Sequence, residues 1–248
     1  MNKITENLQN NLQYLKLSYM YENYQDAVKH AAGKSLDHLS FLNNLVEGEA
    51  CSYKERSIER KIRNAKLPCI KTLEQFNWNH PKKINRLQIE NLFHLNFIEK
   101  KENVVILGPC GVGKSHIGNA LTEYACRKGY SALYSPAVDI INNLTAAVAT
   151  NYLEKAIKKY IAPNILYIDE LGYLPVDRQG ANLLFQIISK RYETGSIILT
   201  SNRTFKEWPK IFNNDSTITS AVLDRMLHHC EVVVIEGNSY RMKDRIDS

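Results

Sequence analysis

Eight consecutive residues carry the clearest chemical signature in this chain. They run from Gly108 to Ser115 and match the pattern G-x-x-x-x-G-K-[ST], directly after an apolar run at 104–107. Glycines let the backbone curl around a phosphate, and a following helix adds the positive end of its dipole. Lys114 would then reach the β- and γ-phosphates, and the Ser115 hydroxyl would bind Mg²⁺. The residues expected to bind the nucleotide, ATP, are Gly108, Pro109, Cys110, Gly111, Val112, Gly113, Lys114, Ser115 and His116.

A second apolar run, at 165–168, ends in the adjacent carboxylates Asp169 and Glu170. In a parallel sheet, ligands lie at the carboxyl ends of the strands, so these acids should emerge beside the phosphate loop. Asp169 is placed to hold Mg²⁺ through water, and Glu170 to orient or deprotonate an attacking water. Because Glu170 is present, the sequence favours ATP hydrolysis over a DNA scaffold that binds nucleotide and scarcely hydrolyses it.

Three further polar residues are candidates for contact with the reacting phosphate. Asn202 follows the apolar run that begins at Ile197, and its amide could lean over the γ-phosphate and the attacking water. Arg225 and Arg241 lie in otherwise apolar surroundings, and arginine is the usual cation for a phosphoryl transition state. From the residues alone, Asn202 is equally a turn former, and each arginine taken alone is interpreted as a structural ion-pair partner.

The elements that must position these residues follow from the pattern of apolar runs. From Asn103 onward, short runs rich in β-forming residues alternate with helical stretches, and they occupy residues 104–107, 132–135, 165–168, 197–200 and 232–235. This alternation predicts an α/β fold, a P-loop ATPase domain with a parallel five-stranded sheet flanked by helices. Few residues follow the last run, so we expect no C-terminal lid domain.

The region before the sheet has a different texture. Apolar residues at helical spacing predict four helices between residues 4 and 66, with Gly33 ending the second and Ser35 capping the third. We therefore expect a small all-α domain at 1–67 and an ATPase domain at 68–248. Residues 68–80 form a linker that packs on the ATPase domain, and a further helical stretch should follow Pro81 and run to about residue 101.

Composition excludes several classes of protein. Apolar residues make up 44% of the chain and charged residues 23%, which is typical of globular proteins. No stretch is long and apolar enough to cross a membrane, and residues 1–17 lack the apolar segment of a signal peptide. The five cysteines are an odd number without a C-x-x-C pair, which disfavours a disulfide framework. We expect a cytoplasmic protein without a membrane partner.

Positive charge is concentrated in one part of the chain. Residues 51–86 contain ten basic and three acidic residues, whereas the whole chain has a net charge of +6. Such a cluster is either a solvated helix face or a surface for a polyanion. The candidates for contact with a polyanion are Arg56, Arg60, Lys61 and Arg63.

Taken together, these motifs resemble the IstB family. The resemblance rests on Gly108 to Ser115, the block from Asp169 to Pro175, Thr200 to Arg203, Leu223 to Arg225 and Ser239 to Arg241. The segments 65–68 and 72–76 and the basic helical N-terminal region are also similar, so the resemblance spans nearly the whole chain. Members of the family are ATP-dependent helper proteins of insertion-sequence transposition, and they are kin to the DnaC helicase loaders in the initiator branch of AAA+ ATPases.

The resemblance implies roles that the residues alone do not assign. Asn202 would be a sensor of the γ-phosphate, Arg225 an arginine finger that reaches a neighbouring subunit, and Arg241 a second sensor. Homo-oligomers, ring-like or helical, would form on duplex DNA and recruit a partner transposase. Residues 139–161 fall where the initiator branch inserts an extra helix, so second candidates for DNA contact are Lys155, Lys158 and Lys159.

Two alternatives keep the same phosphate loop. A helicase loader would bind a replicative helicase and prefer single-stranded DNA. A P-loop kinase of small molecules would use Glu170 as a base toward a bound acceptor and should ignore DNA. The combination of Asn202, Arg225 and Arg241 disfavours the kinase.

Overall fold

The computed structural model describes residues 3–240, and the chain divides into two compact units between Arg60 and Lys61. The first unit is helical and contains α1 (Lys3–Tyr14), α2 (Ser18–Lys34) and most of α3 (His38–Ala65). The prediction of four helices here is wrong, because α3 continues without interruption for 28 residues. Gly48 lies inside α3, and its missing side chain leaves room for the ring of Tyr19 on α2. This glycine therefore serves helix packing and does not end a helix.

The boundary between α2 and α3 also differs from the prediction. Gly33 lies inside α2, and Ser35 follows that helix in a left-handed conformation with a φ of 49°. Asp37 caps α3 instead, because its Oδ1 accepts the backbone N–H groups of Leu39 and Ser40, each at 3.0 Å. A carboxylate at this position also interacts favourably with the helix dipole, which explains why α3 begins after Asp37 and not after Ser35.

The buried carboxylate of Glu49 on α3 binds the backbone of α2 and also pairs with Arg56 on its own helix. Glu49 Oε2 accepts the backbone N–H of Met20 at 3.0 Å, and Glu49 Oε1 accepts a hydrogen bond from Arg56 Nη2 at 2.7 Å. Burial raises the pKa of the Glu49 carboxyl, but the hydrogen bonds from Met20 and Arg56 outweigh it, and the net effect lowers that pKa. The charge of Arg56 is therefore largely matched within the first unit.

The second unit is built on the expected sheet. All neighbouring strands are parallel, in the order β2-β3-β4-β1-β5, and the strands are β1 (Asn103–Leu107), β2 (Ala132–Pro136), β3 (Ile165–Leu171), β4 (Ser196–Ser201) and β5 (Cys230–Val234). Every residue of β1 and β4 is buried, as in parallel sheets covered on both faces. The predicted fold class is confirmed.

Helices cover both faces of this sheet. They are α4 (Arg86–Leu92), α5 (Asn96–Glu99), α6 (Lys114–Arg127), α7 (Ala137–Ala149), α8 (Leu153–Ile161), α9 (Arg178–Arg191), α10 (Trp208–Ile211) and α11 (Ser216–Leu227). One apolar core lies between the sheet and α7, α8, α9 and α11, and the other lies between the sheet and α4, α5 and α6. The stretch from Pro81 to residue 101 holds the two short helices α4 and α5, and residues 139–161 hold α8 and most of α7.

Residues 3–240 contain neither an α-helix after β5 nor a helix that could span a membrane. No α-helix follows β5 in this part of the chain. Over the same residues, every helix is too short or too polar to span a lipid bilayer.

Candidate active site

The phosphate loop connects the end of β1 to the start of α6. Gly113 lies directly before the helix with a φ of 102°, a left-handed conformation that favours glycine. A Cβ atom at Gly113 would come within 2.5 Å of the Phe76 ring, so a side chain is excluded there. Lys114 Nζ donates a hydrogen bond to the Pro109 carbonyl at 2.7 Å, which holds the ammonium group over the loop. Lys114 and the loop residues 111–113 line the same cavity.

A cavity of about 750 Å³ opens above the loop. Its walls include six of the residues predicted to bind nucleotide and both acids of β3, namely Gly111, Val112, Gly113, Lys114, Ser115, His116, Asp169 and Glu170. The segment at 68–81 also lines the cavity, including Phe76, Asn77 and His80. The cavity has the size of a small-molecule ligand pocket. The phosphate loop lines one part of it.

Asp169 is the centre of a hydroxyl network. Ser115 Oγ and the Tyr167 hydroxyl donate to Asp169 Oδ1 at 3.1 and 3.0 Å, and the Thr200 hydroxyl donates to the same oxygen. The Tyr134 hydroxyl lies 3.5 Å from Oδ2. Asp169 is only 4% exposed, so these donors replace water around a buried carboxylate.

The two tyrosines are donors at any physiological pH. Burial, followed by the negative charge of Asp169, raises the pKa of Tyr167 well above its usual value. Burial and the charges of Asp169 and Glu170 also raise the pKa of Tyr134. Both hydroxyls therefore stay protonated and keep their protons directed at the carboxylate.

The residues present fit a magnesium ion beside the loop. A serine hydroxyl and a carboxylate oxygen, 3.1 Å apart, are the hard oxygen donors that Mg²⁺ takes, usually with several waters. The neighbouring carboxylate, Glu170, is exposed to the cavity and so can contact water. The site thus places one buried carboxylate, Asp169, next to one that is open to the cavity, Glu170.

Asn202 extends from the end of β4 toward the phosphate loop. Its Nδ2 donates to the sulfur of Cys110 at 3.8 Å, which brings the amide beside the loop that precedes α6. Its Oδ1 is buried and has no hydrogen-bond partner among residues 3–240. An acceptor left without a donor at this position suits a water or ligand group.

The two arginines do not lie in this cavity. Arg225 is on α11, where its guanidinium lies 4.8 Å from the centre of the Phe185 ring and donates to the Ala221 carbonyl at 3.3 Å. It does not line the cavity that holds Lys114. Arg241 falls outside the residues that the structure describes.

The basic residues predicted to contact DNA lie on two helices. Arg60 and Arg63 are exposed near the end of α3, and Lys61 between them is half-buried. On α8, Lys155, Lys158 and Lys159 are all exposed. Arg56 differs from the others because Glu49 pairs with it at 2.7 Å.

Several site residues were not anticipated from the sequence. Tyr134, Tyr167 and Thr200 all bond to Asp169, yet each reads as an ordinary β-forming residue in an apolar strand. The one sequence feature that indicates a special role is Thr200 itself, a polar residue in the otherwise apolar run at 197–200 of β4, which the structure shows to be fully buried. The cavity wall at 68–81 could be assigned no chemistry from its residues, although the segments 65–68 and 72–76 carry part of the family resemblance.

The fold and this site define an ATP-binding domain of the AAA+ class. A model of the family described as IstB-like ATP binding protein matches residues 10–248. The chain therefore belongs to the IstB family.

Two relatives illustrate the similarity. "Insertion sequence IS5376 putative ATP-binding protein" of Geobacillus stearothermophilus is 37% identical over 231 residues, which are 93% of this chain and 92% of the relative. "Insertion sequence IS21 putative ATP-binding protein" of Pseudomonas aeruginosa is 38% identical over 234 residues, covering 94% and 88% of the two chains.

Solved structures support the fold alone. The DnaC helicase loader superposes with a TM-score of 0.53 and 24% identity, covering 64% of this chain and 98% of that one. AMPPCP-bound DnaA from Aquifex aeolicus superposes with a TM-score of 0.58 and 22% identity, covering 72% of this chain and about half, 54%, of that one.

Proposed function

We propose that this protein hydrolyses ATP with Mg²⁺ while assembled on duplex DNA, and that it recruits and stimulates a partner transposase. The observation that carries the proposal is the convergence of Lys114, Ser115, Asp169 and Glu170 on one cavity. Relatives that are named for insertion sequences support the biological context. Membership of the IstB family, described as IstB-like ATP binding protein, supports ATP binding.

Each residue has a distinct part in the proposed reaction. Lys114 exchanges its Pro109 carbonyl partner for phosphate oxygens, and the loop N–H groups bind the same oxygens. Ser115 and Asp169 would hold Mg²⁺, which would neutralise phosphate charge. Glu170 accepts a proton from the attacking water, and the Asn202 amide orients that water against the terminal phosphate.

Arg225 completes the site of a neighbouring subunit in this proposal. Its position on α11, outside the cavity of its own chain, supports action in trans. A ring or helical homo-oligomer supplies such a neighbour. Arg241 is proposed as a second sensor of the nucleotide on the basis of the family resemblance.

DNA binding is proposed to be electrostatic. Exposed lysine and arginine side chains neutralise phosphates without reading base sequence. Arg60, Lys61 and Arg63 form the first candidate surface, and Lys155, Lys158 and Lys159 the second. Because Glu49 already matches the charge of Arg56, we give that residue the smallest share of the phosphate contacts.

A helicase loader is the second candidate function, favoured by the fold shared with the DnaC loader. Both candidates are tested by ATP turnover measured without DNA, with duplex DNA and with single-stranded DNA at one salt concentration. The transposition helper predicts stimulation by duplex DNA above that by single strands. A preference for single strands would favour the loader, and turnover indifferent to DNA would overturn both and favour a small-molecule kinase.

A further inference from the structure

Strand β3 is irregular at its functional end. Ile168 pairs with Leu199 of β4, but the next pair in register is Leu171 with Ser201. Two residues of β3, Asp169 and Glu170, therefore lie opposite one residue of β4, Thr200. This two-against-one arrangement is a β-bulge, a feature that re-aims side chains and is frequent next to active sites.

The bulge solves a geometric problem. Successive side chains of a regular strand point to opposite faces of the sheet, so adjacent acids cannot normally serve one site. Here Asp169 and Glu170 both line the same cavity. Glu170 achieves this with a φ of 60°, a left-handed conformation that a glutamate rarely adopts without support.

Thr200 contacts both halves of the bulge. Its hydroxyl donates its proton to Asp169 Oδ1 and accepts the backbone N–H of Glu170 at 3.0 Å. The Thr200 side chain is 1% exposed, so water cannot easily take over either bond. A hydroxyl is needed for this double role, because it can donate and accept at once.

We propose that Thr200 is a positioning residue for hydrolysis, since its single hydroxyl holds the acid of the metal site and the acid of the water site in one arrangement. This inference rests on the proposed function. Thr200 also lies two residues before Asn202 on the same strand. A shift of β4 would therefore move the support of Asp169 and Glu170 together with the Asn202 amide.

The test compares Thr200→Val, which has nearly the same shape but no hydroxyl, with Thr200→Ser, which keeps it. Thr122→Val is the matched control, because Thr122 is also fully buried and its hydroxyl bonds only locally, to the Gly118 carbonyl at 2.7 Å. Two quantities are measured: hydrogen exchange of the Glu170 amide without nucleotide, and the kcat of ATP hydrolysis together with ATP affinity.

In Thr200→Val we expect the Glu170 amide to exchange at least about tenfold faster. We expect kcat to fall about 10–100-fold, because misplacing reacting groups by about 1 Å lowers the rate by this factor. ATP affinity should change less than about threefold. Thr200→Ser should restore both quantities to within about threefold. Wild-type exchange and kcat in Thr200→Val, or equal losses in Thr200→Ser, would overturn the proposal.

The exchange measurement separates this inference from the proposed function. If the wild-type protein did not hydrolyse ATP at all, the proposed function would fail, whereas faster exchange in Thr200→Val alone would still support the role of Thr200 in holding the bulge. Should Thr200→Val fail to fold, Thr200→Cys takes its place, because a thiol fills the site but donates and accepts only weakly. Unchanged exchange and kcat in Thr200→Cys would then contradict the inference.

Discussion

The nucleotide cavity and the basic helix surfaces achieve their chemistry in different ways. In the cavity, Asp169 is buried and receives hydrogen bonds from strands β3 and β4 and from the start of α6, so several elements must converge on one carboxylate. On α8, by contrast, Lys155, Lys158 and Lys159 are exposed on a single helix. Removing one group from the cavity should therefore abolish a step, whereas removing one lysine should weaken binding by a small, salt-dependent amount.

The largest effect on ATP turnover is expected from the substitution of Arg225. If its guanidinium completes a neighbouring site, Arg225→Ala should bind ATP nearly normally, while turnover falls by about 10³ to 10⁵, as for other arginine fingers. Isothermal titration with ATP and a phosphate-release assay measure the two quantities separately.

A mixing experiment tests whether Arg225 acts in trans. Lys114→Ala has a defective loop but an intact Arg225, so combining it with Arg225→Ala should restore part of the activity at mixed interfaces. Differently tagged subunits show whether mixed oligomers form. If they form and yet are no more active than the components, Arg225 does not act in trans and is structural, through its contacts with Phe185 and Ala221.

A smaller effect is expected at the end of α3. Replacing Arg60, Lys61 and Arg63 by glutamine should lower duplex affinity similarly for all sequences, because these side chains would contact phosphates alone. Each lost contact should reduce the slope of log K against log salt by about 0.9. Fluorescence anisotropy across a salt series measures affinity and slope together.

The matched comparison is the triple glutamine variant of Lys155, Lys158 and Lys159. It removes the same number of positive charges from α8, so net charge is equal in the two variants and only location differs. If the α3 variant keeps its affinity and slope while the α8 variant loses both, the DNA surface lies on α8. Retention of both in both variants would contradict phosphate contact at either surface.

Much of the fold could be predicted because its signals are local. The five strands are contiguous apolar runs, and each predicted run overlaps an observed strand. The helix boundary near Ser35 could not be read in the same way, since Ser35 and Asp37 are both good caps and their competition depends on which backbone N–H groups each side chain reaches. Gly48 inside α3 could not be explained from local sequence either, because its role is to leave space for the Tyr19 ring, which is distant in sequence.

In the candidate site, too, local motifs could be predicted and long-range contacts could not. Lys114, Ser115, Asp169 and Glu170 could be predicted, because each occurs in a motif at a strand end. The bulge and Thr200 could not be predicted, since a bulge depends on the register between β3 and β4, which separate segments of the chain determine.

The most direct test of the account uses Glu170→Gln, which removes the proposed base and keeps the shape. The control is Glu193→Gln, because Glu193 is also exposed and left-handed, with a φ of 58°, but it lies before β4 at the other end of the sheet. ATP binding, phosphate release and the mass of complexes on duplex DNA are measured, the last by light scattering after size exclusion. The account predicts that Glu170→Gln binds ATP with wild-type affinity, hydrolyses it at least about 100-fold more slowly and stays assembled on DNA. Wild-type phosphate release by Glu170→Gln would contradict it.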